Sequence, residues 1–410
     1  MGLTAKERRS ATKITAARYQ RATKKQKGII LEEFTALTEY DRCYAAHLLR
    51  NHGKKIYVSN RLVIVGDVGK KTRRKIKRFY DEKVCAALKE VWFIMDCICG
   101  KRLAPMLKEL VPILQNHNEI KIDAGTRGKL LVISASTIDR LLKEEKKKQQ
   151  LKGRSHTKPG TLLKHQIPIR TFSEWDEQMP GFVEIDLVGH DGGDAIGEFA
   201  HSLDVTDVCT GWTEVQAVKN KAQVWVFEAL KDIRGRLPFD LLGIDSDNGS
   251  EFINNHLKRY CEKDKITFTR ARSHRKNDNC FVEQKNYSVV RRAVGYMRYD
   301  TEKGLHLLNE LYGYLRLYIN FFQPVMKLIE KKRVGSKVTK KYDKAQTPYR
   351  RVLASPHVSE DTKKWLKKEF AKLNPAELKR QITKLQNKLL SIAAVKGKEK
   401  KAGKTRKHLE

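Results

Sequence analysis

Three acidic residues in this chain have the type and spacing to hold divalent metal. Asp186 lies in the alternating run Val183-Glu184-Ile185-Asp186-Leu187-Val188, and Asp247 in the turn Asp245-Ser246-Asp247-Asn248-Gly249 that follows an apolar stretch. Glu283 ends Asn277-Asp278-Asn279-Cys280-Phe281-Val282-Glu283, with 35 residues between it and Asp247. Phosphodiester cleavage needs a strong nucleophile and a sink for charge at the leaving oxygen. Two Mg²⁺ (or Mn²⁺) ions about 3.5–4 Å apart supply both. Such hard ions take carboxylate oxygens and keep several waters, so about three acids are enough. The expected chemistry is metal-dependent cleavage and joining of DNA by Asp186, Asp247 and Glu283, which serve as both the catalytic and the metal-binding residues.

These acids need a frame. In the Asp186 run, Val183, Ile185 and Leu187 alternate with Glu184, Asp186 and Val188, which predicts a strand with Asp186 pointing away from its buried side. Strands are expected at 182–188, 197–206, 211–217, 239–245 and 265–270, and helices at about 220–235, 251–263 and 279–298. Three strands, helix, strand, helix, strand, helix is the order of a ribonuclease H-like mixed sheet, three antiparallel strands extended by parallel ones. Asp186 then lies midway along the central strand and Asp247 just off the carboxyl end of its neighbour, where α/β sheets build sites. Gly249 allows the tight turn, and Asn248 can pin it by side-chain bonds. Glu283, about one turn into its helix, leans back toward the helix start and the sheet edge.

Other residues compete for roles. Asp245 is a further candidate ligand or support, while Glu251 reads as a first-turn helix acid. Asp191, Asp194 and Asp204 read as loop or strand-end residues. His190 could orient water or DNA, although a lone histidine near a strand end is more often structural. Trp212 reads as core. His274-Arg275-Lys276 precedes the glutamate helix, as a DNA contact or a solvated loop.

Segments around the three acids resemble the integrase-core transposases of bacterial insertion sequences, relatives of retroviral integrases. The matching residues are Glu184-Ile185-Asp186, Asp245-Ser246-Asp247-Asn248-Gly249-Ser250-Glu251-Phe252 and Val282-Glu283-Gln284-Lys285-Asn286. Asp207-x-x-Thr210-Gly211-Trp212, Asn320-Phe321-Phe322-Gln323-Pro324 and Thr347-Pro348-Tyr349-Arg350 add to the likeness, which covers about 180–355. The resemblance implies a DDE triad, a ribonuclease H-like core, two Mg²⁺ or Mn²⁺ ions, cutting at terminal inverted repeats, and strand transfer into target DNA without a covalent enzyme–DNA intermediate. It also implies a homo-oligomer. Many members carry Lys or Arg seven residues after the glutamate. Val290 stands there in this chain, leaving Lys285, Arg291 or Arg292 to grip DNA. The His-His-Cys-Cys zinc module of the retroviral members is missing.

Composition agrees. Lys and Arg number 84 against 48 Asp and Glu, a net charge of +36 over 410 residues, which points to a polyanion partner. A hydrophobic content of 40% supports real cores, and 32% charged residues argues against a membrane protein. Seven cysteines without a CxxC pair suit reduced thiols. No apolar run approaches the ~18 residues of a span, and the start lacks a signal-peptide core. The expected location is cytoplasmic and nucleoid-associated.

The fold class expected is multidomain, α plus α/β. Residues 1–60 read as a helix-turn-helix or a plain bundle, with helices at 23–36 (Ile29, Ile30 and Phe34 on one face) and 40–51 (Tyr44, Leu48 and Leu49 inward). Residues 54–80 read as a linker or a phosphate-tracking arm built on Lys70–Arg78. Residues 80–150 hold helices at 82–98, 103–116 and from Thr137, the last capped by Ser136 and Asp139, as a second helix-turn-helix with Thr137 and Arg140 toward a DNA groove. A linker at 151–179 precedes the core at 180–328. A small β element at 329–356 and a basic helical tail at 357–410 follow. In that tail Asn374 caps a helix whose Leu378, Ile382, Leu385, Leu389 and Ile392 pack on the chain itself, and the last fifteen residues read as disordered. A non-catalytic, domesticated DNA-binding protein is the alternative function.

Overall fold

The computed structural model describes residues 3–59, 62–65, 79–148, 179–247, 249, 251–252, 255–271 and 280–406. The chain divides into two compact units, Met1–Phe79 and Tyr80–Glu410.

In the first unit, α1 (Ala5–Arg21), α2 (Lys24–Thr38) and α3 (Arg42–Asn51) form a three-helix cluster around Ala16, Ile30, Leu31, Phe34, Ala45 and Leu49. Each start is chemically marked. Thr4 and Glu7 cap α1 reciprocally, Thr23 and Gln26 cap α2, and Asp41 accepts the Cys43 and Tyr44 N–H groups at α3. Two inward assignments fail. Ile29 is 58% exposed and Tyr44 51% exposed, the latter edge-on to Tyr40 at 5.2 Å. The reason is α1. It packs on both other helices and rotates the buried arc of α2 to Ile30, Leu31 and Phe34. Strands β1 (Lys55–Ser59) and β2 (Leu62–Val65) then pair antiparallel where an arm was expected. Lys70–Arg78 lies outside the described residues.

The second unit opens with α4 (Glu82–Ile94), α5 (Gly100–Asn116), α6 (Ala124–Val132), α7 (Ala135–Leu141) and α8 (Lys143–Lys148). Helix α4 stops four residues early because Asp96 and Cys97 both turn left-handed, at φ 55° and 59°. The α7 cap is Ser134, which receives the Thr137 N–H, and not Ser136. Asp139 is engaged elsewhere and accepts the Gly100 N–H at 2.8 Å, tying α7 to the start of α5.

Five strands follow: β3 (Phe182–Gly189), β4 (His201–Asp207), β5 (Thr213–Val218), β6 (Gly243–Ser246) and β7 (Thr267–Arg270). Their order is β5-β4-β3-β6-β7, with β3, β4 and β5 antiparallel and β6 and β7 parallel to β3. This is the strand order predicted above. Helices α9 (Gln223–Arg234) and α10 (Asn255–Lys263) cover one face, where Val183, Ile185, Leu203, Val205 and Ile244 meet Val226, Leu230, Ile233 and Leu257. The other face is covered too. A continuous helix runs as α11 (Cys280–Lys285), a π turn (Asn286–Arg291) and α12 (Arg292–Val294), followed by α13 (Glu302–Phe322). These elements pack Val289, Val290, Val294, Leu308 and Leu311 against Val188, Val215 and Ala217. The expectation that Asp186 points away from a buried side is therefore corrected: both sides of β3 are covered.

The hairpin β8 (Leu328–Val334) and β9 (Lys337–Tyr342) leads into α14 (Pro348–Ala354), α15 (Glu360–Lys372) and α16 (Pro375–Arg406). Asn374 caps α16 by accepting the Ala376 N–H at 3.0 Å. Leu378, Ile382, Leu385 and Leu389 are buried in the common core, and α16 lies along α13. The helix runs through Arg406, where disorder was expected. Among the described residues no helix is long and apolar enough to cross a membrane.

Helix α13 also closes one margin of the sheet. The Asn320 amide accepts the Thr213 N–H at 2.9 Å and donates to its carbonyl at 2.8 Å. Three helical turns earlier Asn309 does the same for Ala217, at 2.8 and 3.1 Å. The outward backbone groups of Thr213 and Ala217 on edge strand β5 are thus satisfied by side chains. Asn320→Leu keeps the volume and strands both Thr213 groups. At about 1–3 kcal/mol per buried orphan, the unfolding free energy will fall by about 2–6 kcal/mol, read as a lower urea midpoint at unchanged m-value.

Candidate active site

Strand pairing gathers carboxylates on one face of the sheet. Glu184 stands opposite Asp245 across β3 and β6, Asp204 opposite Asp186 across β4 and β3, and Asp247 follows directly beyond β6. Glu184, Asp204 and Asp245 are fully buried, whereas Asp186 and Asp247 are half-buried. Asp245 is spent inside the sheet, where it accepts the Thr269 hydroxyl. Asp247 remains at the rim, its Oδ1 receiving the Gly249 N–H at 2.9 Å.

The helix above this face is tied to it by two bonds. Glu184 Oε2 accepts the Val282 N–H at 2.8 Å, and the Phe281 N–H also points at this carboxylate. A carboxylate is thus set against the unpaired N–H groups of a helix start. One turn on, Asn286 Nδ2 donates to Asp186 Oδ2 at 2.6 Å, while Asp186 Oδ1 takes the Leu187 N–H at 2.8 Å. The Asn286 Oδ1 is buried and has no hydrogen-bond partner among the described residues.

Burial and crowding raise these acids. Burial first, and the Asp247 carboxylate second, push Asp186 up to about 8. Asp247 is also raised, chiefly by burial. Burial lifts Asp204 to about 7 against the pull of the Lys285 ammonium, and it raises Glu184 well above the carboxylate range. Burial lowers Lys285 to about 8, opposed by Asp204. An acid pair perturbed in this way marks a functional-site candidate.

The structure brings Asp186 and Asp247 close enough for the Asp247 carboxylate to raise Asp186, and Glu283 on α11 lies close enough to Glu184 to help raise that carboxyl. Glu283 is exposed on α11, directly after the residue pinned by Glu184. Among the described residues no three His, Cys, Asp or Glu lie close enough to share a metal ion. Two half-buried carboxylates with an unpartnered amide oxygen beside them still fit a hydrated Mg²⁺, which needs few protein ligands.

Three of the residues expected to grip DNA have partners within the fold. Lys285 is buried and donates from Nζ to the Gly211 carbonyl at 3.2 Å. Arg291 bonds the Gly189 carbonyl at 2.9 Å and lies over the Tyr296 ring at 4.7 Å. Arg292 bonds Asp96 at 2.7 Å. The π turn contributes to this outcome. It turns through a smaller angle per residue than an α-helix, so position 290 rotates off the Glu283 side, and Val290 is fully buried. Arg140 is exposed as expected and donates to the half-buried Thr137 Oγ1 at 3.2 Å. His274, Arg275 and Lys276 lie outside the described residues. Asp204, read as a strand-end residue, is a buried mid-strand acid. His190 is structural: it is buried, within 2.7 Å of Ser202 Oγ, and lowered to about 3 by burial. Trp212 is in the core and donates to Glu214. Sequence reading missed the roles of Glu184 and Asn286. The signals were Glu184's place on the Asp186 side of the strand and Asn286's spacing one turn after Glu283.

No family model matches the chain. Two solved structures align weakly with it. The catalytic core domain of BIV integrase gives a TM-score of 0.29 at 15% identity, covering 42% of this chain and 91% of that one. The HTLV-2 integrase catalytic core domain in complex with magnesium (dimeric form) gives 0.27 at 15% identity, covering 36% and 91%. In sequence, the chain is 36% identical over 334 residues to the uncharacterized protein y4rM of Sinorhizobium fredii (strain NBRC 101917 / NGR234), a match that spans 82% of this chain and 91% of that relative. At that identity and coverage, the chain belongs to the y4rM family.

Proposed function

We propose that this chain is a DDE transposase that binds the ends of a DNA element and carries out metal-dependent strand cleavage and strand transfer. The observation that carries this reading is the Asp186–Asp247 pair where the parallel pairing of β3 and β6 ends, beside a helix that carries Glu283. Asp186 and Asp247 hold the metal, with Asn286 fixing the Asp186 carboxylate by one oxygen. Glu283 completes the set from the helix that Glu184 anchors. Divalent ions bound there supply an activated water or 3′-hydroxyl and absorb charge at the leaving oxygen. The amino-terminal helices and the exposed Arg140 of α7 contribute DNA contacts, and copies of the chain assemble to process two ends together. The net charge of +36 supports a polyanionic substrate.

A second reading, a non-catalytic DNA-binding protein, is favoured by one specific observation: among the described residues no three His, Cys, Asp or Glu side chains gather to hold a metal ion. Wild-type protein that binds DNA but neither nicks nor joins it with Mg²⁺ or Mn²⁺ would select this reading.

Two results are expected. Glu283→Gln and Asp186→Asn will each lower Mg²⁺-dependent nicking of supercoiled DNA by about a hundredfold or more, with DNA affinity held within about twofold. Undiminished nicking by Glu283→Gln removes that residue from the triad. The raised acids also set a pH dependence. Between about pH 4 and pH 8 the unfolded chain has released protons that Asp186 and its neighbours retain in the fold, so metal-free stability declines as pH rises and levels off above about 8. Metal binding must expel those protons. Thermal stabilisation by Mg²⁺ will therefore be larger at pH 8 than at pH 6, and Asp186→Asn will flatten the difference.

A further inference from the structure

A cavity of about 300 Å³ lies behind the Glu283 helix, between the start of α5, the α11–α12 helix, the end of α13 and α16. Four cations line it, Arg102, Lys285, Arg292 and Lys379, against a single carboxylate, Asp96. That carboxylate is fully committed: Arg292 bonds its Oδ2 and Lys379 its Oδ1, each at 2.7 Å. It is held there by the left-handed pair Asp96–Cys97, a backbone conformation that persists where the surroundings enforce it. The other two cations bond neutral oxygens. Arg102 donates to the Pro324 carbonyl at 2.6 Å and to Gln323 Oε1 at 3.4 Å. Lys285 donates to the Gly211 carbonyl, with the Asp204 carboxyl on its sheet side.

Four cations against the Asp96 and Asp204 carboxyls leave positive charge in excess in a partly buried site, which is costly, and an anion removes that cost here. The guanidinium fork favours oxyanions that accept two parallel hydrogen bonds. Gln323, Gln386 and Tyr318 supply further polar atoms on the wall. We propose that this cavity is a phosphate-binding site, taking a phosphate group either free, as inorganic phosphate or a nucleotide, or carried by a nucleic-acid strand. The site is separate from the carboxylate pair, and its occupancy is read with metal chelated, so its failure and the failure of strand cleavage are distinguishable.

The test uses the full chain in EDTA at matched ionic strength. Inorganic phosphate at about 10 mM should raise the melting temperature by several degrees over chloride, the mass-action effect of a ligand that binds only the folded state. Lys379→Gln should weaken phosphate binding about tenfold, and Asp96→Asn should tighten it severalfold by freeing Arg292 and Lys379. Opposite shifts in the two variants separate a site from a packing role, which would weaken both. If Lys379→Gln fails to fold, Arg102→Gln takes its place. Phosphate that stabilises no more than chloride, or binding unchanged in both variants, overturns the proposal. A second arm identifies the source by competition with 5′-phosphorylated and 5′-hydroxyl single-stranded decamers. Displacement by the phosphorylated strand alone assigns a strand end, equal displacement assigns backbone diesters, and displacement by neither assigns a free phosphate.

Discussion

The Glu184 carboxylate and the Val282 N–H that it accepts hold the glutamate helix to the acidic face of the sheet. Glu184 is buried in the central strand, so it can meet the helix only at its first turn, where N–H groups lack partners inside the helix. The bond sets the height of α11, and the Asn286–Asp186 bond one turn later sets its rotation. Together they decide which side of the helix faces the acids and which faces the cationic cavity. Glu283, Val290 and Lys285 take their surroundings from these two constraints.

The price is a sheet face crowded with carboxyl groups. Glu184, Asp204 and Asp245 are fully buried, and each is raised or tied by a hydrogen bond. A fold selected for stability alone would place apolar side chains there. Retaining the acids makes sense where at least two of them, Asp186 and Asp247, are needed half-open to solvent and close together. The buried acids then shape the surroundings: Glu184 anchors the helix, Asp245 braces β6 against β7 through Thr269, and Asp204 faces the ammonium of Lys285.

Much of this was legible in the sequence, for identifiable reasons. The strand order follows from short apolar runs alternating with helical patterns, and Asp186 and Asp247 stand out because each lies in or directly after such a run. What escaped notice depends on elements distant in the chain. The covered second face of β3 is made by helices a hundred residues downstream, so local alternation could not reveal it. Ile29 and Tyr44 point outward because α1, with its weak apolar pattern, takes a share of the first unit's core. The π turn has no composition signal in Asn286–Arg291, yet it decides that Val290 is core and contributes to Arg291 bonding a strand carbonyl. The role of Glu184 was hidden because an acid in a strand reads as solvent-facing until its partner is known.

The asparagine pair on α13 has a consequence for how copies of this chain can meet. With amides at 309 and 320 occupying the outward ladder positions of Thr213 and Ala217, a neighbouring strand finds the backbone at both ends of β5 already bonded. That flank is shut to strand-by-strand growth and to the runaway fibres it permits. Lengthening of the five-stranded sheet by a partner strand is therefore disfavoured on the β5 side, which restricts the geometry of a multimer before any partner arrives.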